Sequence, residues 1–130
     1  MRLLLDTHTF LWFVNNAPPL TGTQALSLLQ DNKNELLLSV ASVWEMAIKA
    51  GIGKLALAQP LETFVPAQMR ANAIGLLPIE PRHAFHVAQL PLHHRDPFDR
   101  LLIAQSIVEG MPLLSADATF DDYAGLQRIW

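Results

Sequence analysis

Four acidic residues lie beside short apolar runs of the chain, where strands of a buried sheet are predicted to end. They are Asp6, Glu45, Asp99 and Asp117. Strands of a parallel sheet end at one edge, and ligands of open α/β sheets bind beyond that edge. Carboxylates gathered there would repel one another unless a hard cation neutralised them, and Mg²⁺ and Mn²⁺ prefer carboxylate oxygen. The pattern therefore predicts a metal site at the edge of the sheet.

Three of these acids also fit roles at the start of a helix. Asp6 and Asp117 each follow a predicted strand and precede a helix or turn, a position where Asp is a common N-cap. In the run Asp96-Pro97-Phe98-Asp99, Asp96 is the predicted N-cap and Asp99 the third helical residue. We interpret Asp96 as a cap that supports the site, and Asp99 as a ligand within it.

Glu45 fits two structural roles as well. It lies three residues after Ser42, the spacing of a capping box, and four residues before Lys49, the favourable order for a helical ion pair. The buried side of this helix is predicted to consist of Trp44, Ala47 and Ile48. Glu45 would then lie on the margin of that side, near the sheet edge. The four acids thus indicate a metal site jointly, and none does so alone.

The elements that must position these acids alternate between strand and helix. Nearly continuous apolar runs predict buried strands over residues 2–5, 36–39, 76–79 and 112–115, with a last edge strand over 126–130. Helices are predicted over residues 8–15, 24–31, 41–50, 60–72, 81–90 and 97–109. A helix between successive strands implies right-handed crossovers. We predict an α/β fold, a three-layer α/β/α sandwich with a central parallel sheet of four to five strands, in a single domain over residues 1–130.

The composition excludes several classes of protein. The chain has 130 residues, of which 51% are hydrophobic and 16% charged, with a net charge of −3 and no cysteine. Disulfides, thiolate metal sites and thiol nucleophiles are therefore excluded. The net charge alone does not favour nucleic acid, so an RNA contact would need a local basic patch. No signal peptide and no apolar run of about 20 residues is evident, so we expect a cytoplasmic protein without a membrane partner.

Three other α/β classes fit the residues less well. A phosphatase of the haloacid-dehalogenase type would place a second Asp two residues after Asp6, where His8 stands. A phospho-receiver domain would need an acceptor Asp after a middle strand and a Lys after a late strand, and neither is present. No glycine-rich turn follows Leu5, which disfavours a dinucleotide-binding module. His83 and His86 share a helix face but lack a third neutral ligand for zinc.

Four stretches of the chain resemble one known family. They are Leu4–His8, Ser39–Lys49 with Gly53–Leu55 after it, His94–Gln105 and Leu114–Asp117. Over its whole length the chain resembles a PIN domain, and in particular the VapC-type ribonuclease toxins of bacterial toxin–antitoxin pairs. The stretch His94–Gln105 is the most specific of the four. The fold of that family, a parallel sheet between helices, agrees with the pattern of predicted elements.

The resemblance implies a function and a site. By that likeness the catalytic and metal-binding acids are Asp6, Glu45, Asp99 and Asp117, with Thr7 and Ser115 as helper hydroxyls. The implied activity is a metal-dependent endoribonuclease with Mg²⁺, or Mn²⁺, as cofactor. The implied partners are an RNA substrate, a small cognate antitoxin protein and a second copy of the chain in a homodimer.

Basic side chains near the acids complete the interpretation. We interpret His93, His94, Arg95 and Arg100 as a small basic rim that could meet phosphate, and Arg95, Arg100 and Lys49 are predicted to contact RNA phosphates. The alternative is a PIN-like module that binds RNA or a protein without cutting. A metal titration separates the two, because an intact set of four acids is expected to bind Mn²⁺ and a scaffold is not.

Overall fold

A five-stranded parallel sheet forms the centre of the computed structural model, which describes all residues, Met1–Trp130. Its strands are β1 (Arg2–Leu5), β2 (Glu35–Ser39), β3 (Ile74–Leu77), β4 (Leu113–Leu114) and β5 (Arg128–Ile129). They lie in the order β3-β2-β1-β4-β5, and every neighbouring pair is parallel. The predicted parallel α/β fold is confirmed.

Six α-helices cover the sheet. They are α1 (Thr7–Val14), α2 (Gln24–Gln30), α3 (Val40–Gly51), α4 (Leu61–Ala71), α5 (Pro81–Val87) and α6 (Pro97–Glu109). Two short 3₁₀ turns, Pro18–Leu20 and Ala118–Asp122, complete the structure. None of the helices combines the length and the apolar character that crossing a bilayer would require.

Alternate residues of the central strands feed two separate cores. Leu3 and Leu5 point to one face of the sheet, with Phe10 of α1 and Met46 of α3. Leu4 points to the other face, with a second set of apolar side chains that includes Leu102 and Ile103 of α6. Both faces of β1 are therefore buried, which explains why its sequence is a continuous apolar run instead of an alternating one.

The strand order places a switch in chain direction at β1. From β1 the chain crosses to β2 and then β3 on one side, and later returns to β4 and β5 on the other side. The loops after β1 and β4 therefore diverge and leave a crevice at the carboxyl edge. Asp6 follows β1 directly, and Ser115 follows β4 directly.

The predicted bounds of the third strand and of the end of the fifth helix were wrong, and the last strand is shorter than predicted. The third strand is Ile74–Leu77, two residues earlier than the predicted 76–79, because Ala73 has a positive φ of 53° that turns the chain straight from α4 into the strand. Pro78 has no N–H, which ends the pairing after Leu77. Helix α5 ends at Val87, and residues 88–90 continue in turns instead of the predicted helix.

The predicted buried face of α3 was also wrong. Trp44 is 54% exposed, and Ile48 and Ala47 are exposed too. The side of α3 that faces the protein carries Ala41, Ser42, Glu45 and Met46. The helix therefore turns the carboxylate of Glu45 inward and leaves the apolar side chains of Trp44 and Ile48 exposed to solvent.

Candidate functional site

An acidic cavity of about 230 Å³ opens at the carboxyl edge of the sheet. Its wall is formed by Asp6, Thr7, His8, Glu45, Lys49, Asp96, Asp99, Asp117 and Phe120. All four of the predicted acids are in this set, although they are separated by up to 111 residues in sequence, from Asp6 to Asp117. The fold brings them together because β1, α3, α6 and the segment after β4 all meet at the same crevice.

Asp6 both caps α1 and faces the cavity. Its Oδ1 accepts a hydrogen bond from the backbone N–H of Thr9 at 2.8 Å. The residue is 8% exposed. The cap fixes the carboxylate against the end of β1 and leaves Oδ2 without a protein partner.

Glu45 is held by two side chains. Its Oε1 accepts from the Thr7 hydroxyl at 2.6 Å, and its Oε2 accepts from Lys49 Nζ at 2.8 Å. Glu45 is 7% exposed, whereas Lys49 is partly exposed beside it. The helical ion pair with Lys49 therefore exists, and the same carboxylate lines the cavity. Thr7, which the resemblance implied to be a helper hydroxyl, holds Glu45.

The carboxylate of Asp99 has no hydrogen-bond donor or cationic partner from the protein. Burial raises the pKa of Asp99 to about 7, the negative charges of Asp96, Glu45 and Asp6 add to the rise, and His94 acts against it. Asp96 caps α6 by accepting from the N–H of Asp99 at 3.2 Å, so its role as a cap agrees with the prediction. A carboxyl that is half protonated near neutral pH marks a site where negative charge is in excess.

Asp117 lies at the start of the turn Ala118–Asp122, where Oδ1 accepts from the N–H of Thr119. Its Oδ2 lies 2.9 Å from His94 Nε2. Partial burial acts to raise the pKa of Asp117, but the hydrogen bonds from His94 and Thr119 outweigh it and hold that pKa below its ordinary value. The Ser115 hydroxyl is fully buried and accepts from the N–H of Asp117, so it supports the fourth acid through the backbone.

The predicted basic contacts divide into three cases. Lys49 lines the cavity but is paired with Glu45. The guanidinium of Arg100 instead donates to four backbone carbonyls of the segment before α6, those of Val87, Leu90, Pro91 and His94. Arg100 therefore braces this segment, while Arg95 is exposed to solvent. Of the three, only Arg95 is exposed and makes no ion pair or side-chain hydrogen bond.

The carboxylates of the cavity are spread along its wall. No three of them bring one oxygen each within 4.8 Å of one another, whereas donor atoms of Glu80, His83 and Glu109 do so elsewhere. In that second group His83 Nδ1 accepts from the N–H of Glu80 at 3.0 Å, which leaves the ring proton on Nε2. Arg82 bonds both carboxylates there. The ring nitrogen that faces the acids is thus a donor, and this group is an ion-pair cluster, not a metal site.

One residue of the site was not singled out from the sequence, and another was given a different role. His8 follows Asp6-Thr7 and lines the cavity, and its ring lies 5.6 Å from that of Trp12. His94 was interpreted from the sequence as part of a basic rim that could meet phosphate, and in the structure its Nε2 lies 2.9 Å from Asp117 Oδ2.

The fold and the cavity together define a class: an α/β protein with carboxylates gathered at the topological switch point of a parallel sheet. Comparison with known proteins identifies the family. The family model of the PIN domain matches residues 3–126. The chain belongs to the PIN domain family, as its motifs predicted.

Two relatives from Mycobacterium tuberculosis (strain ATCC 25618 / H37Rv) are similar in sequence. Ribonuclease VapC16 is 38% identical over 60 residues, which is 46% of this chain and 43% of that protein. Ribonuclease VapC22 is 30% identical over 116 residues, which is 88% of this chain and 86% of that protein. The match thus spans less than half of the first relative and most of the second.

Solved structures share the fold at low sequence identity. A chain in the crystal structure of VapBC2 from Rickettsia felis, bound to a promoter DNA fragment, matches with a TM-score of 0.73 and 17% identity, over 98% of this chain and 97% of that one. A chain of DNA-bound VapBC from Salmonella typhimurium gives a TM-score of 0.69 and 15% identity, over 98% and 96%. These similarities support the architecture described above.

Proposed function

We propose that this protein is a divalent-metal-dependent endoribonuclease, the toxin of a toxin–antitoxin pair, and that Asp6, Glu45, Asp99 and Asp117 hold Mg²⁺ or Mn²⁺. The observation that carries the proposal is the single cavity lined by all four acids, in which burial and like charges raise the pKa of Asp99 to about 7. Membership of the PIN domain family and the ribonuclease relatives support the same activity.

The donor set of the cavity fits such an ion. Four carboxylates offer hard oxygen ligands, and the chain has no thiolate to favour a softer metal. Asp6 Oδ2 has no protein partner. The pKa of Asp99 is raised first by burial and then by the negative charges of Asp96, Glu45 and Asp6, which a cation would neutralise. Charge and ligand chemistry therefore both favour Mg²⁺ or Mn²⁺ over zinc.

The side chains of the wall have separable roles in this proposal. A bound divalent ion would supply a water of lowered pKa and neutralise charge on the scissile phosphate. Asp6 is fixed by its cap at the end of β1 and is the principal ligand. Glu45 is fixed by Thr7 and Lys49, so it adds a carboxylate whose position does not depend on the ion. Asp99 would be a deprotonated ligand of the bound ion, and Asp117 would complete the set.

RNA contacts are proposed for the exposed and partly exposed cations. Lys49 sits in the wall of the cavity, and Arg95 is exposed one residue before Asp96. Either side chain can meet a phosphate that enters the cavity. Arg100 is not one of these cations, because its guanidinium donates to backbone carbonyls.

The decisive experiment measures cleavage of end-labelled single-stranded RNA by purified protein in Mg²⁺, in Mn²⁺ and in a chelator. We expect cleavage that requires the metal and falls about 100-fold or more in Asp6→Asn and Asp99→Asn. Asn at position 6 can still cap α1, so Asp6→Asn tests the charge and not the fold. Glu109→Gln, in the ion-pair cluster, is the matched control and is expected to cleave normally. Metal-dependent cleavage that survives in Asp6→Asn would contradict the assignment.

We also propose that a small antitoxin protein covers the cavity and that the chain forms a homodimer. The chains of similar fold were solved in VapBC assemblies, some bound to DNA. Here, Trp44, Ile48 and Ile52 form an exposed apolar stripe along α3. An apolar groove of about 390 Å³ lies beside it, between α3, α4 and β3, and includes Val43 and Val65. Apolar surface of this extent beside the site is typical of a partner interface.

Co-expression with the small open reading frame next to the toxin gene tests the partner. We expect the partner to co-purify with this protein and to suppress its cleavage of RNA. The molar mass of the complex, measured by light scattering, gives the copy number of each chain. Trp44→Asp should weaken the complex without changing the cleavage rate of the free protein. A free protein that is monomeric and a neighbour that neither binds nor inhibits would contradict this part.

A further inference from the structure

The ring of His94, in the segment between α5 and α6, is enclosed by two aromatic side chains. It stacks on Phe120 with ring centroids 4.6 Å apart and on Tyr123 with centroids 5.5 Å apart. The His94 side chain is only 9% exposed. Both aromatic residues belong to the segment after β4, which also carries Asp117. The ring is therefore a fixed link between two loops of the site.

Hydrogen bonds assign the tautomer of this ring. The backbone N–H of His94 donates to the Tyr123 oxygen at 2.7 Å, and His94 Nδ1 lies 3.0 Å from the same oxygen. The carboxylate of Asp117 can only accept, so the proton of the neutral ring is on Nε2, and Nδ1 accepts from the Tyr123 hydroxyl. Nε2 then donates to Asp117 Oδ2 at 2.9 Å. Tyr123, His94 and Asp117 form a single directed chain of hydrogen bonds.

Asp117 has little else to hold it in place. Its side chain is 44% exposed, whereas Asp6 and Glu45 are nearly buried. The one other donor to its carboxylate is Thr119, on the exposed turn that follows. Without His94, Oδ2 would be free to rotate into solvent, away from the wall of the cavity.

We propose that His94, oriented by Tyr123, is a positioning residue that holds the carboxylate of Asp117 in the acidic cavity. The proposal rests on the proposed function, in which Asp117 is a ligand of the divalent ion. His94 itself is not part of the cavity wall, so it acts through Asp117 and not on the substrate. Side chains that orient a metal ligand in this way change metal affinity or activity about 10- to 100-fold when removed.

The test measures Mn²⁺ affinity by titration calorimetry and RNA cleavage as a function of Mg²⁺ concentration. For His94→Ala we expect Mn²⁺ affinity to fall about tenfold and the half-maximal Mg²⁺ concentration to rise about tenfold, with an unchanged KM for RNA. His94→Gln keeps an N–H donor and is expected to regain most of the loss. In an Asp117→Asn background, His94→Ala should have no further effect. This cycle separates positioning from a merely structural role.

His93→Ala is the matched control, because His93 packs edge-on against Tyr123 and contacts no carboxylate. Its metal dependence should equal that of the wild type. If His94→Ala does not fold, Tyr123→Phe, which removes only the hydroxyl, carries the same test and should weaken Mn²⁺ binding in the same direction.

The outcomes separate this inference from the proposed function. If the wild-type protein binds Mn²⁺ without cutting RNA, the proposed nuclease activity is contradicted. The effect of His94 is then still measured by the change in Mn²⁺ affinity. Wild-type protein that cleaves, with His94→Ala and Tyr123→Phe unchanged in metal affinity, would overturn the positioning role alone. A loss that persists in the Asp117→Asn background would overturn the route through Asp117. Absence of any Mn²⁺ binding would overturn both.

Discussion

The hydroxyl of Thr7 donates to Glu45 Oε1 across 2.6 Å and so ties the first turn of α1 to the middle of α3. Both residues are buried, at 5% and 7% exposure. Lys49 takes the other oxygen of the same carboxylate. Each oxygen of Glu45 therefore has a donor before any ion binds. Asp99 has no such donors, and burial, followed by the negative charges of Asp96, Glu45 and Asp6, raises its pKa to about 7.

Removal of the Thr7 hydroxyl should destabilise the protein and weaken activity. Thr7→Val keeps the shape of the side chain but leaves a buried carboxylate oxygen without its donor. We expect the free energy of unfolding to fall by about 1–3 kcal/mol, measured by urea denaturation. Because Glu45 is then free to move, RNA cleavage should fall about tenfold or more.

Thr7→Ser is the control for this change, since it keeps the hydroxyl and loses only a methyl group. We expect most of the activity to return in the serine variant. Equal activity of wild type and Thr7→Val would show that the position of Glu45 does not depend on this bond.

The metal-free protein should become more stable as the pH falls below 7. The pKa of Asp99 is about 7 in the folded chain and has an ordinary value of 3.8. Between these values the folded state binds the extra proton, so stability increases on acidification and is lost as the pH rises through 7. The slope for one proton is at most about 1.4 kcal/mol per pH unit, and solvent screening of this partly exposed group makes it smaller.

Urea denaturation of chelated protein at several pH values between 5 and 8 measures this effect. Asp99→Asn cannot take up the proton, so the difference between wild type and variant should shrink as the pH falls. Above pH 7, Asp99→Asn should be the more stable protein, because it lacks the repelled charge. A pH profile that is identical in the two proteins would rule out Asp99 as the titrating group.

Much of the fold follows from local patterns. The continuous leucine runs of β1 and β2 could only be satisfied by burial on both faces, and Gly110, with a φ of 62°, ends α6 where the sequence predicted. The acids at helix starts, Asp6 and Asp96, are also local features. These patterns placed three of the four cavity acids at strand ends or helix starts.

The orientation of α3 and the partners of the cations depended on tertiary contacts. Their hydrophobicity predicted that Trp44 and Ile48 form the buried face of the helix. Instead Glu45 faces inward, because Thr7, 38 residues away, supplies its donor. Arg100 was predicted to contact phosphate. In the structure its guanidinium donates to backbone carbonyls at the end of α5 and in the turns that follow it. In both cases the deciding partner lies outside the helix itself, so the periodicity of the helix contains no information about it.

Arg95 and Arg100 should behave in opposite ways when they are replaced. Arg100→Ala removes donors from four carbonyls and should cost about 2–3 kcal/mol of the free energy of unfolding. Arg100→Lys should recover little of it, because an ammonium cannot reproduce the planar fork. Arg95→Ala, on an exposed residue, should change stability by less than about 0.5 kcal/mol.

RNA binding should show the reverse order. Arg95→Ala is expected to raise the KM for RNA and to lower the slope of log affinity against log salt concentration by about 1. Binding of a non-cleaved RNA analogue by fluorescence anisotropy, at three salt concentrations, measures both. An unchanged salt slope would place the phosphate contacts elsewhere on the protein.

Mn²⁺ should raise the thermal stability of the protein through the acidic cavity. An ion that binds only the folded state adds about 2.7 kcal/mol at 100 times its Kd, so the unfolding midpoint should rise with Mn²⁺ concentration. Asp6→Asn should remove most of this shift, while Glu80→Gln, in the cluster around His83, should leave it intact. Differential scanning calorimetry with and without chelator gives the comparison. If the unfolding midpoint of the wild type does not respond to Mn²⁺, the metal site is contradicted, and a PIN domain that binds its partners without cutting is favoured. If the shift is instead lost in Glu80→Gln, the ion binds at the cluster around His83.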